Sequence, residues 1–497
     1  MTRLQAQMAQ GYNRHMNRER RDTQATRPVL AVDLDGTLLP TDLLHESFWA
    51  AIGHRADIAP RAVLHLLGGR AALKRWLAGE TTLDPAALPY RDEVLAELRA
   101  WRAAGGRTTL VTASDQLLAE RVAAHLGLFD AVHGSDGVTN LKGARKAAFL
   151  SRHYGQQGFV YMGDSRADLA VWKQAAGAIT VAAGPGLRAR AEAACPGARH
   201  IGATPELLRP MLAALRPHQW LKNILVFLPM IAAHRFEAGT IALSALAFIA
   251  FCLVSSAVYV LNDLLDLAAD RAHPRKRLRP FASGALPVSR GLPMITALAI
   301  AGGVLALAVG PVFLAVLAAY LVLTTAYSLG LKREVILDIL MLGVFYTLRI
   351  AGGAAAAGVE LSVWLAAFSL FFFLALAAVK RQAELVDARE RGKLDAAGRG
   401  YRTGDVGLVE AMAVASGFVS VLVLALYLTS PAVQDLYRTP EFLWGICLVL
   451  LYWVGRVVVV AHRGQMHDDP VIFALRDRTS RACLLAVLSL TLAGMLV

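Results

Sequence analysis

Cysteine is scarce in this chain, and the few cysteines form no recognisable pattern. The 497 residues contain four, without a CxxC pair or the spacing of metal ligands: Cys195, Cys252, Cys447 and Cys483. Scattered cysteines of this kind are typical of buried free thiols in a reducing compartment. The sequence therefore argues against a disulfide framework and against cysteine-ligated metal.

The first residues lack the apolar core of a signal peptide, and acidic residues are outnumbered by basic ones. Residues 1–27 are polar and rich in arginine, so we expect a disordered or membrane-surface tail there instead of a secretory leader. The formal charge of +13 would suit nucleic acid, but most clustered basic residues adjoin apolar segments. We therefore expect no nucleic-acid partner.

Long apolar runs are abundant, and they are confined to the second part of the chain. Hydrophobic residues make up 56% of the sequence, and several runs have the ~20 residues that cross a bilayer. A short run ends at Ala233, and others follow near residues 241–261, 292–309, 311–329, 335–357, 361–379, 407–429, 441–461 and 480–497. We predict a soluble α/β domain over residues 28–205 and an all-α bundle of nine transmembrane helices over residues 210–497.

The soluble part begins with a strand pattern that ends in two aspartates. The apolar run at residues 28–32 has the composition of a buried strand, and the sequence DLDGT, residues 33–37, follows it. Open α/β sheets bind their ligands at the carboxyl ends of strands. Two aspartates there can have different roles in phosphoryl transfer: one attacks phosphorus, and the other donates a proton to the leaving group.

Later segments supply complementary groups in a consistent order. A second strand pattern ends in Thr112, a hydroxyl donor for a phosphoryl oxygen. Lys142, in the segment NLKG, can supply positive charge to the phosphoryl group. A third strand pattern leads to Asp164 and Asp168, which would complete a Mg²⁺ site with Asp33.

These four segments resemble the four motifs of the haloacid dehalogenase (HAD) phosphatase superfamily, which has a Rossmann-type sheet. The resemblance implies that Asp33 forms an aspartyl-phosphate and that Asp35 is the general acid and base. It implies that Thr112 and Lys142 grip the phosphoryl group. The implied Mg²⁺ ligands are Asp33, Asp164 and Asp168. A helical insert at about residues 43–90 resembles a small cap over the site.

An acidic motif directly follows the apolar run that ends at Leu261. The sequence NDLLDLAAD spaces Asn262, Asp266 and Asp270 four residues apart, so on a continuous helix their side chains share one face. Converging oxygen ligands select Mg²⁺, which is commonly shared with substrate phosphates. The motif predicts a metal-bound diphosphate where this helix meets water, with Asp263 as a further candidate.

A basic cluster follows in the sequence HPRKRLRP. Its Lys276, Arg277 and Arg279 offer fixed positive charge to the same phosphates. Candidate phosphate ligands in other segments are Lys222, Lys332, Lys380 and Arg381. Further candidates without an assigned role are Tyr327, Asp338, Glu384 and Asp387. Asp338 lies just inside an apolar span, where a carboxylate is costly and therefore points to function.

Basic residues are distributed unequally between the turns of the membrane part. The turns at residues 262–290, 328–334, 380–407 and 463–479 hold eighteen lysines and arginines, whereas the opposite turns hold only Arg235 and Arg438. Basic residues are retained on the cytoplasmic side of membranes. We therefore expect the N-terminal domain and the candidate sites to face the cytoplasm, in a multi-pass protein of the inner membrane.

The pattern NDxxDxxxD followed by HPxKRxRPxASG resembles the first aspartate-rich motif of the UbiA superfamily of membrane prenyltransferases. The resemblance covers roughly residues 210–497 and implies a helical bundle that binds an isoprenoid diphosphate through Mg²⁺. The second DxxxD motif of the aromatic prenyltransferases is absent, and KRxAELxD stands instead. With RPxQWxKN and YSLxLKxxxxxD, the chain more closely resembles the decaprenyl-phosphate phosphoribosyltransferase branch, which uses phosphoribosyl pyrophosphate (PRPP) and polyprenyl phosphate.

We therefore expect a Mg²⁺-dependent transferase that moves phosphoribose from PRPP to a polyprenyl phosphate, with the phosphatase removing the 5-phosphate of the product. One alternative is transfer of a polyprenyl group from its diphosphate to an aromatic acceptor, which the missing second DxxxD disfavours. Another is a transporter or membrane scaffold, which would place charged residues at mid-span instead of at one end of the spans. The DGxxAR signature of CDP-alcohol phosphotransferases is absent.

Overall fold

The structure, a computed structural model, describes residues 27–496 except 56, 82, 137–139, 393–399, 435–436 and 467–468. It contains two compact units. The first ends at Pro210 and also includes Asp266–Arg290, and the second comprises Met211–Leu265 and the chain from Gly291 onward. The packing of Asp266–Arg290 within the first unit was not expected from the sequence. The predicted tail at residues 1–27 lies outside the described residues, apart from Arg27.

A parallel six-stranded sheet forms the centre of the first unit. Its strands are β1 Val29–Val32, β2 Thr108–Asp115, β3 Ala131–Ser135, β4 Phe159–Gly163, β5 Gly177–Val181 and β6 Arg199–Ile201. The strand order is β3-β2-β1-β4-β5-β6, with every neighbouring pair parallel. All four residues of β1 are buried, as expected for an apolar central strand covered on both faces. The predicted α/β class is confirmed, and the carboxyl ends of β1, β2 and β4 meet at one edge of the sheet.

Helices form an insert between β1 and β2 and cover the sheet. The insert contains α1 Leu43–His54, α2 Ile58–Leu67 and α3 Arg70–Glu80, which correspond to the predicted helical cap. Asp42 caps α1 by accepting a hydrogen bond from the Leu44 amide at 2.8 Å. The remaining helices are α4 Asp92–Ala103, α5 Gln116–Leu126, α6 Ala144–Tyr154, α7 Leu169–Trp172, α8 Pro185–Ala194 and α9 Leu208–Ala214.

Apolar helices make up most of the second unit. In chain order, with α12 belonging to the first unit, the helices are α10 Leu228–Ala232, α11 Ala238–Leu265, α12 Leu267–Ala272, α13 Gly291–Val309, α14 Pro311–Leu329, α15 Leu337–Ala357, α16 Val363–Glu390, α17 Val406–Leu428, α18 Pro431–Gln434, α19 Trp444–His462, α20 Pro470–Arg476 and α21 Arg478–Leu496. Among the described residues, seven helices are long and apolar enough to cross a membrane: α11, α13, α14, α15, α16, α17 and α19. The prediction of a helical membrane domain is therefore confirmed.

The expected count of nine spans is not confirmed. The first expected span is a 3₁₀ helix, Pro217–Phe227, followed by the short α10. Pro229, at the start of α10, lacks the amide hydrogen that would help to join the two into one regular α-helix. The last expected span is α21, which carries Arg478 and Arg481 in its first turn. These charges shorten its apolar length.

Close backbone contact joins the 3₁₀ helix to α15. Gly353 of α15 faces the carbonyl group of Val226, and a Cβ atom at Gly353 would overlap that carbonyl oxygen. Val226 is fully buried in the same apolar cluster as Phe313 and Phe345. The missing side chain at Gly353 therefore allows the two backbones to pack directly, as small residues do between membrane helices.

We expect Gly353→Ala to lower the free energy of unfolding by about 1–3 kcal/mol, because overpacking displaces buried backbone. Gly303→Ala is the matched control: Gly303 also lies within a spanning helix, but an added Cβ atom would meet no described atom within 4 Å. Thermal unfolding of both variants in detergent measures the difference. Equal melting temperatures would contradict the importance of this contact.

Candidate active sites

Three aspartates converge at the carboxyl ends of β1 and β4. Asp33 directly follows β1, and Asp164 and Asp168 belong to the turn after β4. Their ligand oxygens all lie within 4.8 Å of one another. Gly36, with φ +81°, passes so close to Asp164 that a Cβ atom would overlap the carboxylate. The structure thus brings together the three aspartates that the sequence suggested as metal ligands.

Burial and mutual repulsion make this cluster unfavourable without a cation. Burial, with contributions from Asp33 and Asp168, raises the pKa of Asp164 to about 7. Burial also raises the pKa of Asp33, although Lys146 opposes this shift. Lys146 Nζ lies 2.9 Å from Asp33 Oδ1, and one ammonium group does not neutralise three carboxylates. The surplus negative charge and the oxygen donors fit a divalent cation such as Mg²⁺.

Asp35 has the environment of a proton donor. Ser114 Oγ donates to one carboxylate oxygen at 2.5 Å, and the Leu43 amide donates to the other at 2.9 Å. Burial, followed by the nearby Asp42 carboxylate, raises the pKa of Asp35 to about 7. At neutral pH a substantial fraction of this carboxyl group is protonated, so it can supply a proton to a leaving group.

The structure places Lys146, and not the expected Lys142, beside the aspartates. Lys146 is buried in α6, where it contacts Asp33 and donates to Tyr161 Oη at 2.8 Å. Lys142 precedes α6, and its side chain is exposed. The two lysines lie four residues apart, but only Lys146 falls on the inward face of α6, which it shares with the buried Leu150. That helical period is the sequence signal that could have identified it.

Thr112 lies at the same edge of the sheet. It is fully buried in β2, and its hydroxyl oxygen accepts a hydrogen bond from the Ser114 amide at 3.0 Å. Since Ser114 also binds Asp35, this strand end connects Thr112 to the aspartates. Sequence reasoning did not identify Ser114.

The acidic motif of the membrane domain is interrupted, contrary to the expectation of a continuous helix. α11 ends at Leu265, and α12 begins at Leu267. Asp266 lies between them at the N-cap of α12, with φ −101° and ψ 13°. Aspartate has a low propensity for helix interiors, which favours a break at this position. The prediction of one continuous helix through Asn262, Asp266 and Asp270 is therefore wrong.

Basic side chains lie beside the first members of the motif. In the second unit, Lys332 Nζ donates to Asn262 Oδ1 at 3.2 Å. Lys332 is largely buried, so this contact fixes its position. Asp263, the further candidate, is buried and forms an ion pair with Arg216. This pairing gives Asp263 a structural role.

The basic cluster contains both paired and exposed residues. Arg279 Nη1 lies 2.6 Å from Asp270 Oδ2, and the Asp270 side chain is nearly fully buried. Lys276 and Arg277 have exposed side chains. With the neighbouring Arg275, the first unit therefore presents three exposed positive charges near a neutralised carboxylate.

Asp338 and Arg381 form a fully buried ion pair in the second unit. Arg381 Nη2 lies 2.7 Å from Asp338 Oδ2, and Tyr327 Oη donates to Asp338 Oδ1 at 2.6 Å. Arg381 also pairs with Glu384, whereas Asp387 is exposed one turn later. A buried guanidinium that is bound to a buried carboxylate is costly to separate. The geometry favours a structural role for Arg381 over the expected phosphate contact.

Two lysines share one carboxylate elsewhere in the second unit. Asp469 Oδ2 lies 2.8 Å from Lys222 Nζ and 3.2 Å from Lys380 Nζ. Although burial by itself has the opposite effect, Lys380 and Lys222 hold the pKa of Asp469 well below its usual range. The three groups carry one surplus positive charge, so they can attract a further anion. Asp469 is not among the candidate residues that the sequence suggested.

A buried arginine, Arg349, is hydrogen-bonded to Asn223, the residue that directly follows Lys222 in the chain. Arg349 Nε donates to Asn223 Oδ1 at 2.7 Å, and Arg349 Nη2 donates to Tyr320 Oη at 2.8 Å. The third acceptor is the carbonyl oxygen of Phe345, at 2.6 Å from Nη1. All three acceptors are neutral, so within the described residues they satisfy hydrogen bonds of Arg349 without neutralising its charge.

Comparison with known proteins identifies two families. The UbiA prenyltransferase family model matches residues 224–476, just over half of the chain, and the haloacid dehalogenase-like hydrolase model matches residues 30–173. Both families indicate enzymatic activity. Together with the apolar helices, they make the chain an integral membrane enzyme.

Three relatives show how far the similarity extends. The uncharacterized protein y4nM of Sinorhizobium fredii is 40% identical over 458 residues, which are 91% of this chain and 88% of the relative. The nodulation protein NoeC of Azorhizobium caulinodans is 40% identical over 55% of this chain and 89% of the relative. A decaprenyl-phosphate phosphoribosyltransferase of Mycolicibacterium smegmatis is 36% identical over 38% of this chain and 62% of the relative. The chain therefore belongs to the UbiA prenyltransferase family, with a haloacid dehalogenase-like hydrolase domain fused before its membrane domain.

Proposed function

We propose that this enzyme transfers phosphoribose from PRPP to a polyprenyl phosphate, such as decaprenyl phosphate, and then removes the 5-phosphate of the product. The observation that carries the proposal is the arrangement of Lys222 and Lys380 around Asp469. Its surplus positive charge suits an acceptor that is itself a phosphate, whereas an aromatic acceptor needs no such charge. Partial similarity to proteins named decaprenyl-phosphate phosphoribosyltransferase supports the same choice.

The donor diphosphate is assigned to the acidic motif and the basic cluster. Asn262, Asp266 and Asp270 would supply oxygen ligands to Mg²⁺, and the exposed Lys276 and Arg277 would supply positive charge to the diphosphate. When bound, Mg²⁺ would stabilise the diphosphate as a leaving group. Lys332 and Arg279, which contact members of the motif in this structure, are suited to exchange those partners for phosphate oxygens.

The transfer forms one bond and breaks one bond at the ribose. An oxygen of the lipid phosphate, held by Lys222 and Lys380, bonds to ribose C1. The bond from C1 to the diphosphate breaks, and the diphosphate leaves with its electron pair. This reaction requires the protein chiefly to position the reactants and to neutralise their charge.

The HAD domain is assigned the hydrolysis of the product's 5-phosphate. Asp33 attacks phosphorus and becomes an aspartyl-phosphate, while Asp35 donates a proton to the departing 5-oxygen. Asp35 then removes a proton from the water that hydrolyses the aspartyl-phosphate. Lys146 and Thr112 stabilise the charge on the phosphoryl oxygens, and Asp33, Asp164 and Asp168 would hold Mg²⁺.

The charge bias of the turns supports an orientation in the inner membrane. With eighteen basic residues in one set of turns and two in the other, the acidic motif and the hydrolase domain are assigned to the cytoplasmic side. Mg²⁺ and phosphorylated sugars are available on that side. One chain would thus perform both steps in one compartment.

We expect purified full-length protein to move label from ribose-labelled PRPP into polyprenyl phosphate in the presence of Mg²⁺. Asp266→Ala should abolish transfer because it removes a proposed metal ligand, whereas Asp57→Ala, which removes an exposed carboxylate of the cap region, should not. Extraction of labelled lipid measures the reaction. Consumption of polyprenyl diphosphate with an aromatic acceptor, without ribose label in lipid, would favour the alternative transferase. Solute transport without either reaction would favour the transporter.

We expect Lys146→Met to reduce phosphatase activity about 100- to 1,000-fold, because it removes the ammonium group that faces Asp33. Lys142→Met is the matched control and should leave the activity nearly unchanged. Hydrolysis of p-nitrophenyl phosphate by the full-length protein measures both. The proposed second step also requires that Lys146→Met accumulate the 5-phosphorylated lipid. If only Lys142→Met lost activity, Lys142 instead of Lys146 would be the lysine that stabilises the phosphoryl group.

We expect Mg²⁺ to raise the melting temperature of the full-length protein more at pH 8 than at pH 6. The pKa of Asp164 is raised from 3.8 to about 7. In the metal-free protein, this shift contributes stability that is fully present below the unfolded pKa and is lost as pH rises through about 7. Mg²⁺ binds the ionised cluster and offsets that loss. Scanning fluorimetry measures the shift, which should lose its pH dependence in Asp164→Asn. Equal shifts at both pH values would contradict this account.

A further inference from the structure

The segment that carries part of the transferase's acidic motif packs with the hydrolase domain. Asp266–Arg290 belongs to the first compact unit, together with the chain up to Pro210. This segment contains Asp266, Asp270 and the basic cluster, all assigned above to the donor diphosphate. We call it the donor loop. Its position in the sequence, between two membrane-spanning helices, gives no indication of this packing.

A buried ion pair anchors the donor loop to the cap region of the hydrolase. Arg271 Nη1 and Nη2 donate to the two carboxylate oxygens of Glu46 at 3.0 and 2.7 Å. The two side chains are only 10% and 3% exposed. Arg271 Nε also donates to the carbonyl oxygen of Ala282, at 3.1 Å. The Arg271 guanidinium therefore links α1 of the cap to two parts of the donor loop, at Arg271 itself and at Ala282.

A close backbone contact adds a second attachment. Gly284 has φ +76°, and a Cβ atom there would lie 2.6 Å from Pro40 Cγ and 3.3 Å from Pro89 Cβ. Pro40 lies shortly after the DLDGT motif of the phosphatase. The donor loop is thus fitted against the segment that follows the proposed nucleophile.

We propose that the hydrolase domain is also a structural part of the transferase, with Glu46 as a positioning residue for the donor loop. Arg271 directly follows Asp270 in the chain, so holding its guanidinium restricts the backbone of the proposed metal ligand. A bidentate, buried Arg–Glu pair fixes orientation as well as distance. Removing one partner leaves a buried charge unpaired, and the loop must move to expose it to water. The identification of the bound diphosphate as PRPP rests on the function proposed above.

The test compares Glu46→Gln with Glu97→Gln in the full-length protein. Glu97 also forms a bidentate pair with an arginine of the first unit, at 2.7 and 2.9 Å from Arg199, but it lies on α4. Three quantities are measured: the KM for PRPP in the labelled-lipid assay, the hydrolysis of p-nitrophenyl phosphate, and hydrogen–deuterium exchange of the donor loop. Arg271→Lys, which keeps the charge but loses the planar fork, is the second variant.

We expect Glu46→Gln to raise the KM for PRPP about 10- to 100-fold, since small displacements of binding groups have effects of that size. In the same variant, hydrogen–deuterium exchange of the donor loop should become faster, while hydrolysis of p-nitrophenyl phosphate stays unchanged. In Glu97→Gln, all three quantities should stay unchanged. Unchanged KM and unchanged exchange in Glu46→Gln would overturn the proposal. An equal loss of transfer and hydrolysis with a lower melting temperature would show a general folding role and also overturn it. If Glu46→Gln does not fold, the same criteria apply to Arg271→Lys.

Failure of the proposed function is distinguishable from failure of this proposal. If the unsubstituted protein transfers no ribose label, PRPP is not the donor. The anchoring of the donor loop is then tested by hydrogen–deuterium exchange alone. Faster exchange in the donor loop of Glu46→Gln, without a change in Glu97→Gln, then supports the anchoring. Equal exchange in both variants refutes it.

Discussion

Neutralisation of buried charge is the constraint on which the sites of this protein depend. A carboxylate or an ammonium group removed from water is unfavourable unless an opposite charge and hydrogen bonds replace the solvent. Asp338 and Arg381 neutralise each other in a fully buried ion pair, and Glu46 and Arg271 do so in a nearly buried one. These pairs serve to hold segments of the chain in place.

Two other groups of charged side chains are neutralised only in part. The surplus charge is negative in the group of the first unit and positive in the group of the second. In the hydrolase, one lysine faces three converging carboxylates, which favours a divalent cation. In the membrane unit, Lys222 and Lys380 share the single carboxylate of Asp469, which favours an anion. Such surpluses suit a divalent cation in the first unit and an anion in the second, as the function proposed above requires. The same physical rule thus separates structural ion pairs from candidate binding groups.

Much of this organisation could be predicted from the sequence, because it depends on local order along the chain. The apolar strand before Asp33 and the later strand before Asp164 place both residues at the ends of parallel strands. The apolar runs of about 20 residues identify membrane helices. Choosing between Lys142 and Lys146 required the inward face of α6, and the helix break at Asp266 depended on a local conformation that spacing alone did not reveal. The two expected spans that are not confirmed coincide with helical segments that contain a proline or two arginines.

Sequence by itself determined the two domain types, the strand-end aspartates, the acidic and basic motifs and the bias of charge between turns. All of these are patterns within a few tens of residues, and their physical causes are hydrophobic periodicity and the preferences of oxygen ligands. Only the tertiary structure decided which charges are already paired. Glu46 and Arg271 are separated by 225 positions, and Lys222 and Asp469 by 247. Contacts over such separations depend on how the whole chain packs, because no local pattern records which distant side chain will be buried against another.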